Sequence, residues 1–320
     1  MEIKKGIDLN RFILEEERKH PEATGTLSHA LMAIENATKI ISSYIRMAGL
    51  VDVIGKTGRI NVQGEEVQKL DTLSNRVLIE HLSGSGDFYA VASEEMEHAL
   101  FPEEGKNGKY VIAIDPLDGS SVIDANTSVG TIFSIWRKIS SDESTFLQEG
   151  KKIVAAGYVI YGTSTMLVYS TGNGVYGFTL DPMVGTYLLS HPNIKIPVKG
   201  KIYGFNESYY NKWDEKIRRC VDLFKTEGYT LRWAGAMVTD IHRTIMKGGI
   251  FAYPLVGSKA KIRLLYEAAP MAFLVKQAGG LATDGTEDIL NIKPQTLHQR
   301  VPVFIGSSED VKKCMEIINS

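Results

Sequence analysis

The stretch AIDPLDGSSVIDA, Ala113 to Ala125, puts two carboxylates three residues apart at the end of an apolar run. Asp115 and Asp118 on one tight turn repel each other unless a cation sits between them. Gly119 permits a left-handed backbone, and Gly119, Ser120 and Ser121 offer successive N–H groups and hydroxyls that suit an anion. A cation and an anion on one loop point to a metal-bound phosphate. More acids accompany the pair. Ser93-Glu94-Glu95 closes the run FYAVAS, and Asp71 lies in a helical pattern after Glu65 and Glu66. Glu267 sits in RLLYEAAP, a context where an acid is seldom buried without a partner. These carboxylates form a hard oxygen donor set suited to Mg²⁺ or Mn²⁺.

Placing these acids requires a buried sheet. KYVIAID is apolar on both faces and reads as a central strand that ends at Asp115, with Pro116 forcing the exit. With DFYAVAS, GTIFSIWRK, IVAAGYVIYG, STMLVYST and GVYGFTL it predicts a sheet with substantial antiparallel pairing. Two amphipathic helices are expected before it, Leu27 to Gly49 and Glu65 to Leu82, joined by a mobile loop, GKTGRINVQG. The pattern breaks at HPNIKIPVKG, which predicts two domains, 1–192 and 193–320. Beyond it the strands KIYGFN, YTLRW and IFAYP alternate with helices around Trp213 to Thr226, around Met237 to Met246 and over IRLLYEAAPMAFLVKQAG. The expected fold class is α/β in the broad sense, an α+β layered sandwich of helices and sheets.

The chain has 320 residues and a formal net charge of −2, ordinary for a globular protein. That balance gives no reason to expect nucleic acid or an anionic membrane as a partner. Cys220 and Cys314 are expected as reduced thiols packed as small hydrophobes. The N-terminus, MEIKKGIDLNRFILEEERKH, has no apolar core for a signal peptide or anchor, and no apolar run is long enough to span a membrane. The expected location is the cytoplasm.

SEE, DPLDGSS and LYEAAPMAFLVKQAGG, in this order, resemble the lithium-sensitive, magnesium-dependent sugar phosphatases. The resemblance is closer to the class I fructose-1,6-bisphosphatases. It runs from RFILEEER through GEEVQKLDTLSN, KYVIAIDPLDGSS, VGTIF, MVTDIHRT, GGIFAYP and KIRLLYE to HQRVPVFIGS. It implies the sugar-phosphatase fold of alternating helix and sheet layers, and hydrolysis of fructose 1,6-bisphosphate in gluconeogenesis with two or three divalent ions per subunit. By this resemblance Glu94, Asp115, Asp118, Glu267 and the main-chain carbonyl of Leu117 ligate metal. Asp71 and Glu95 align and deprotonate the attacking water. Glu65, at a position that usually carries Asp, assists at the loop. Gly119 and Ser120 receive the phosphate being cleaved, with Ser121 beside them. Asn206, Tyr209, Tyr253 and Lys261 match positions that cradle the retained phosphate, and Met237 a residue beside the sugar. Arg232 matches an arginine that reaches a neighbouring subunit's site, which implies an oligomer, in the family a tetramer. Trp233 replaces the family's tyrosine and keeps one N–H donor.

TGTLSHA opens the first long helix, where free N–H groups and hydroxyls favour anions. The resemblance implies an inhibitory AMP site there, from Thr24, Gly25, Thr26, Leu27 and Ser28 with Lys109, Tyr110 and Arg137. Thr26 stands where many members carry an acid. Two alternatives stay open on sequence alone. One is a related phosphatase acting on sedoheptulose 1,7-bisphosphate, inositol phosphate or a nucleotide phosphate. The other is a catalytically inactive sugar-phosphate or AMP sensor.

Overall fold

The computed structural model describes residues 6–19, 23–50, 55–60 and 66–320. Helices Leu9–Glu17, Thr26–Arg46 and Lys69–Gly84 cover one face of a seven-stranded sheet. Its strands lie in chain order: Phe88–Ser93, Tyr110–Asp118, Val129–Arg137, Ala155–Tyr161, Thr165–Ser170, Tyr176–Asp181 and Thr186–His191. The first pair is parallel and the rest antiparallel, as the short spacings require. Alternation divides the sheet cleanly. Val91, Ile112, Ile114 and Phe133 face the N-terminal helices, while Ala90, Ala92, Val111, Ala113 and Trp136 face the other way.

That second face packs on helices Met237–Lys247 and Ala269–Gln277, which also contact Phe251, Tyr253, Val303 and Ile305 of a second sheet. The second sheet has the order Thr230–Leu231, Ile202–Phe205, Ile250–Tyr253, Val303–Gly306, Leu281–Thr283. Its first three strands are parallel, with helices Glu215–Thr226 and Met237–Lys247 making the crossovers between them. Helices Glu215–Thr226 and Ser308–Ile318 close its outer face around Phe205, Trp213 and Phe224. The layers therefore run helix, sheet, helix, sheet, helix, the α+β layered sandwich expected. Among the described residues no helix is long and apolar enough to cross a membrane.

Four local expectations are corrected. The strand expected to stop at Asp115 runs on to Asp118; a register irregularity between them absorbs Pro116, whose missing N–H the ladder does not need there. The helix expected from Glu65 starts at Lys69, because Glu66–Gln68 pairs with Lys56–Ile60 as a two-stranded ribbon within the segment read as a loop. Thr186–His191 adds a seventh strand where the pattern was read as ending. Cys220 and Cys314 are joined in a disulfide, with Cα atoms 5.5 Å apart, so neither is a free thiol. Helices Glu215–Thr226 and Ser308–Ile318 pack side by side and bring the two together, 94 residues apart in sequence.

Candidate active site

The acids arrive from four elements. Asp115 and Asp118 end the strand Tyr110–Asp118. Glu94 and Glu95 follow the parallel strand beside it, with the Glu94 N–H donating to Ile114 O at 3.0 Å. Asp71 occupies the first turn of its helix, and its carboxylate accepts the Gln68 N–H at 2.9 Å. Glu267 projects from a π-helical turn, Leu264–Ala268, inserted ahead of helix Ala269–Gln277. Such widened turns recur at functional sites because they re-aim a side chain within a helix.

Asp115, Asp118 and Glu267 each offer a carboxylate oxygen within 4.8 Å of the others. Asp115 and Glu267 are buried and Asp118 is half-buried, and the Asp115 carboxylate also bonds Glu94. Burial pushes Asp118 up to about 7 and Glu94 up to about 8, and raises Asp115 well above the usual carboxylate range, with Glu94, Asp118 and Glu267 adding like-charge repulsion. Without a cation this cluster holds protons at neutral pH. A buried, all-oxygen donor set of this kind fits a hard divalent cation.

Two backbone groups fix the donors. The Leu117 N–H donates to Asp115 Oδ1 at 3.1 Å, and the Val238 N–H, at the start of helix Met237–Lys247, donates to Asp118 Oδ2 at 2.6 Å. Gly119 follows at φ 88°, closed to most side chains. A Cβ there would lie 2.4 Å from Ala236 Cβ, so the turn carrying the anion-facing N–H groups sits directly on the loop from the second half of the chain. A tight turn over Ser120–Ala125 then leads away.

These residues line a cleft of about 640 Å³ between the two sheets. Asp71, Glu94, Glu95, Asp115, Leu117, Asp118, Gly119, Ser120, Ser121 and Glu267 are among them. Asn206, Tyr209, Trp233, Met237, Tyr253 and Lys261 line the same cleft. The Tyr253 hydroxyl is hydrogen-bonded with Asn206 and Tyr209, and burial pushes it up to about 12. Trp233 stacks on Phe251 with ring centroids 5.6 Å apart, and meets Tyr253 edge-on at 5.6 Å. Arg232 is exposed and does not line the cleft. Glu65 lies outside the described residues.

Sequence reasoning passed over two charged residues at the cleft. Arg263 is buried, ion-paired to Glu94 at 2.9 Å and 3.8 Å from the Glu267 carboxylate, whose Oε2 also accepts its N–H at 2.6 Å. Asp240 lines the cleft with no exposed surface. The acids' apolar contexts gave them away. Arg263, two residues from the exposed Lys261, carries no such signal.

A second cavity, about 430 Å³, opens at the start of helix Thr26–Arg46. Thr24, Gly25, Leu27, Ser28, Lys109, Tyr110 and Arg137 line it, and Thr26 does not. Gly25 caps the helix at φ 76°, Lys109 donates to the Thr24 hydroxyl at 3.3 Å, and the Arg137 guanidinium sits over the Tyr110 ring at 5.8 Å. Ser28 donates to the Glu17 carboxylate. Tyr110 pairs with Arg137 at one end of a strand pair whose other end carries Asp118 opposite Gly130. The two cavities are thus about 26 Å apart along one ladder.

A layered α/β scaffold with a carboxylate cluster beside a turn of N–H donors is an arrangement suited to a metal-dependent phosphate-ester hydrolase. Residues 7–192 match the family model described as Fructose-1-6-bisphosphatase, N-terminal domain, and residues 196–319 match its C-terminal domain. The chain is 64% identical over 318 residues to the class 1 fructose-1,6-bisphosphatase of Sulfurihydrogenibium sp., covering 98% of each, and 62% identical over 318 residues to that of Persephonella marina, covering 98% and 99%. Its fold superposes on crystalline Leishmania major fructose-1,6-bisphosphatase in holo form with TM-score 0.93 at 40% identity, covering 99% and 100% of the chains. The chain belongs to the class 1 fructose-1,6-bisphosphatase family and is a hydrolase of carbohydrate metabolism.

Proposed function

We propose that the cleft hydrolyses fructose 1,6-bisphosphate to fructose 6-phosphate and inorganic phosphate, as a step of gluconeogenesis. One observation carries this reading: the carboxylate cluster and a second polar group, Asn206, Tyr209, Tyr253 and Lys261, line a single cleft. A substrate with a phosphate at each end fits that division.

Glu94, Asp115, Asp118 and Glu267, with the Leu117 carbonyl, hold Mg²⁺ or Mn²⁺, two or three ions per subunit. When bound, the ions supply positive charge to the phosphoryl oxygens and acidify water. Gly119 and Ser120 direct N–H groups at the phosphoryl group, with the Ser121 hydroxyl alongside. Asp71 and Glu95 accept the proton of the attacking water, and Glu65 assists from its loop. The cradle binds the retained phosphate, Met237 packs on the sugar, and Trp233 closes the wall. Arg232, exposed here, is read as reaching the cleft of a neighbouring subunit in a tetramer. Phosphate released from fructose 1,6-bisphosphate with Mg²⁺, and lost in chelator, is the expected result; no release with either metal overturns the substrate.

The cavity at Thr24–Ser28, with Lys109 and Arg137 converging on a helix start, supports inhibition by AMP at a second site. Residues 1–192 then form the metal- and AMP-binding unit and 193–320 the sugar-phosphate unit, in a cytoplasmic enzyme.

A further inference from the structure

The loop Arg232–Ala236 has no regular structure, yet it forms part of the cleft's lining. It carries Trp233 into the cleft and Ala236 against Gly119. The Arg232 N–H donates to the Tyr203 carbonyl at 3.0 Å, and beyond that backbone bond one pair of side chains on the following helix ties the loop down. Asp240 accepts the Ala234 N–H with Oδ2 at 3.0 Å and Oδ1 at 3.2 Å. Arg243, one turn along, places a single nitrogen, Nη2, between two acceptors: Asp240 Oδ1 at 2.6 Å and the Arg232 carbonyl at 3.2 Å. The start and the middle of the loop are therefore tied to one ion pair. A neighbouring strand closes around the tie, since a Cβ on Gly204 would lie 2.9 Å from the Arg232 carbonyl and 3.5 Å from Nη2.

We propose that Asp240 and Arg243 are positioning residues that set where Trp233 stands in the cleft, and through it the affinity for the retained end of the substrate. The metal-binding acids are carried by other elements: Asp115 and Asp118 by their strand, Glu94 by the turn beside it, Glu267 by its π-turn; Asp118 also accepts the Val238 N–H, but from the helix and not from the loop Arg232–Ala236. Loosening the loop therefore acts on substrate binding and leaves the chemical step in place. Asp240 is buried and Arg243 half-buried, and such a charge pair, were stability its only product, is replaceable by apolar packing. Here its outer hydrogen bonds all go to the loop backbone. The proposal rests on the functional reading above.

The test is Arg243→Ala with Arg243→Lys as its control. Lysine keeps a charged nitrogen for both acceptors; alanine keeps neither. The expected result for Arg243→Ala is a KM for fructose 1,6-bisphosphate raised roughly tenfold with kcat within about threefold, the size of one lost charge-assisted hydrogen bond expressed in binding. Arg243→Lys recovers most of the KM.

A second readout needs no turnover. The chain has three tryptophans. Trp136 is 0% exposed and Trp213 4%, so acrylamide quenching of indole emission reports mainly on the half-buried Trp233. Quenching should rise about twofold in Arg243→Ala and return to the wild-type value in Arg243→Lys, as a displaced, better-exposed indole requires. If Arg243→Ala does not fold, Asp240→Asn/Arg243→Met removes both charges together, leaves no buried ion alone and carries the same expectation. Unchanged quenching, or an unchanged KM in a variant that only melts lower, overturns the proposal. A wild-type chain that releases no phosphate fails the functional reading instead, and the quenching result then decides the loop by itself.

Discussion

The Asp118 carboxylate takes the Val238 N–H at 2.6 Å, joining residues 120 apart and seating an acid of the first sheet on the N-terminus of a helix from the second half of the chain. Asp118→Asn keeps an acceptor for that N–H and loses only the charge. The fold should survive, with a melting temperature close to wild type. Turnover should fall by roughly a thousandfold or more, the scale of several kcal/mol of lost metal-centred stabilisation. Phosphate release measures it, and near-normal release would remove Asp118 from the metal site.

Stability without metal should depend on pH in an unusual direction. Burial raises Asp118 to about 7 and Glu94 to about 8, and lifts Asp115 as well. The unfolded chain sheds these protons near pH 4 and the folded chain keeps them, so folding binds protons between those values. The contribution is complete below the ordinary carboxylate range and is lost as pH rises through 7 to 8. In chelator the melting temperature should fall across that window. Adding Mg²⁺ or Mn²⁺ should cancel the fall, because the ionised cluster is what a cation binds. Differential scanning fluorimetry from pH 5 to 9 tests both halves, and parallel curves with and without metal would count against the site.

Arg137→Ala should relieve inhibition by AMP and spare turnover. Arg137 lines the second cavity, pairs with Tyr110 in the sheet and touches nothing in the cleft. The inhibitor concentration at half effect should rise by about tenfold or more, as for loss of a charged contact to a phosphate. Unchanged inhibition takes Arg137 out of that cavity's function.

The disulfide closes a loop of 94 residues that contains Arg232, Trp233, Met237, Tyr253, Lys261, Arg263 and Glu267. A cross-link over that length restricts the unfolded chain by roughly 4–5 kcal/mol in the chain-entropy model. Cys220→Ala/Cys314→Ala should therefore melt about 10 °C lower. Titration of the denatured, unreduced protein should find no thiols; two thiols and an unchanged melting temperature would show that the bond does not form in solution.

The site's acids were legible because charge in an apolar run has few explanations. Asp115 and Asp118 after VIAI, and Glu267 between LLY and AAP, announce a ligand before any fold is known. Arg263 was not legible, since a basic residue near Lys261 reads as solvated surface, and only the π-turn that folds Glu267 back over it makes it a buried counter-ion. Asp240 was hidden in the same way: its role lies in the backbone of Ala234, which no side-chain pattern records. The layers followed from alternating apolar runs, but the last strand of the first sheet, TYLLSH, has a half-buried face and ran unnoticed into Pro192. The cysteines could not announce their bond, because only the pairing of two distant helices brings them together.

The contact of Gly119 with Ala236 has a consequence for how such a chain can change over generations. With only 2.4 Å for an added methyl, position 119 cannot enlarge while Ala236 keeps its own. Any residue larger than glycine at 119 needs less than a methyl at 236, which glycine alone supplies. The left-handed backbone at 119 strains any side chain there even then, so Gly119 is held by two independent constraints, while Ala236 can shrink to glycine but Gly119 cannot grow.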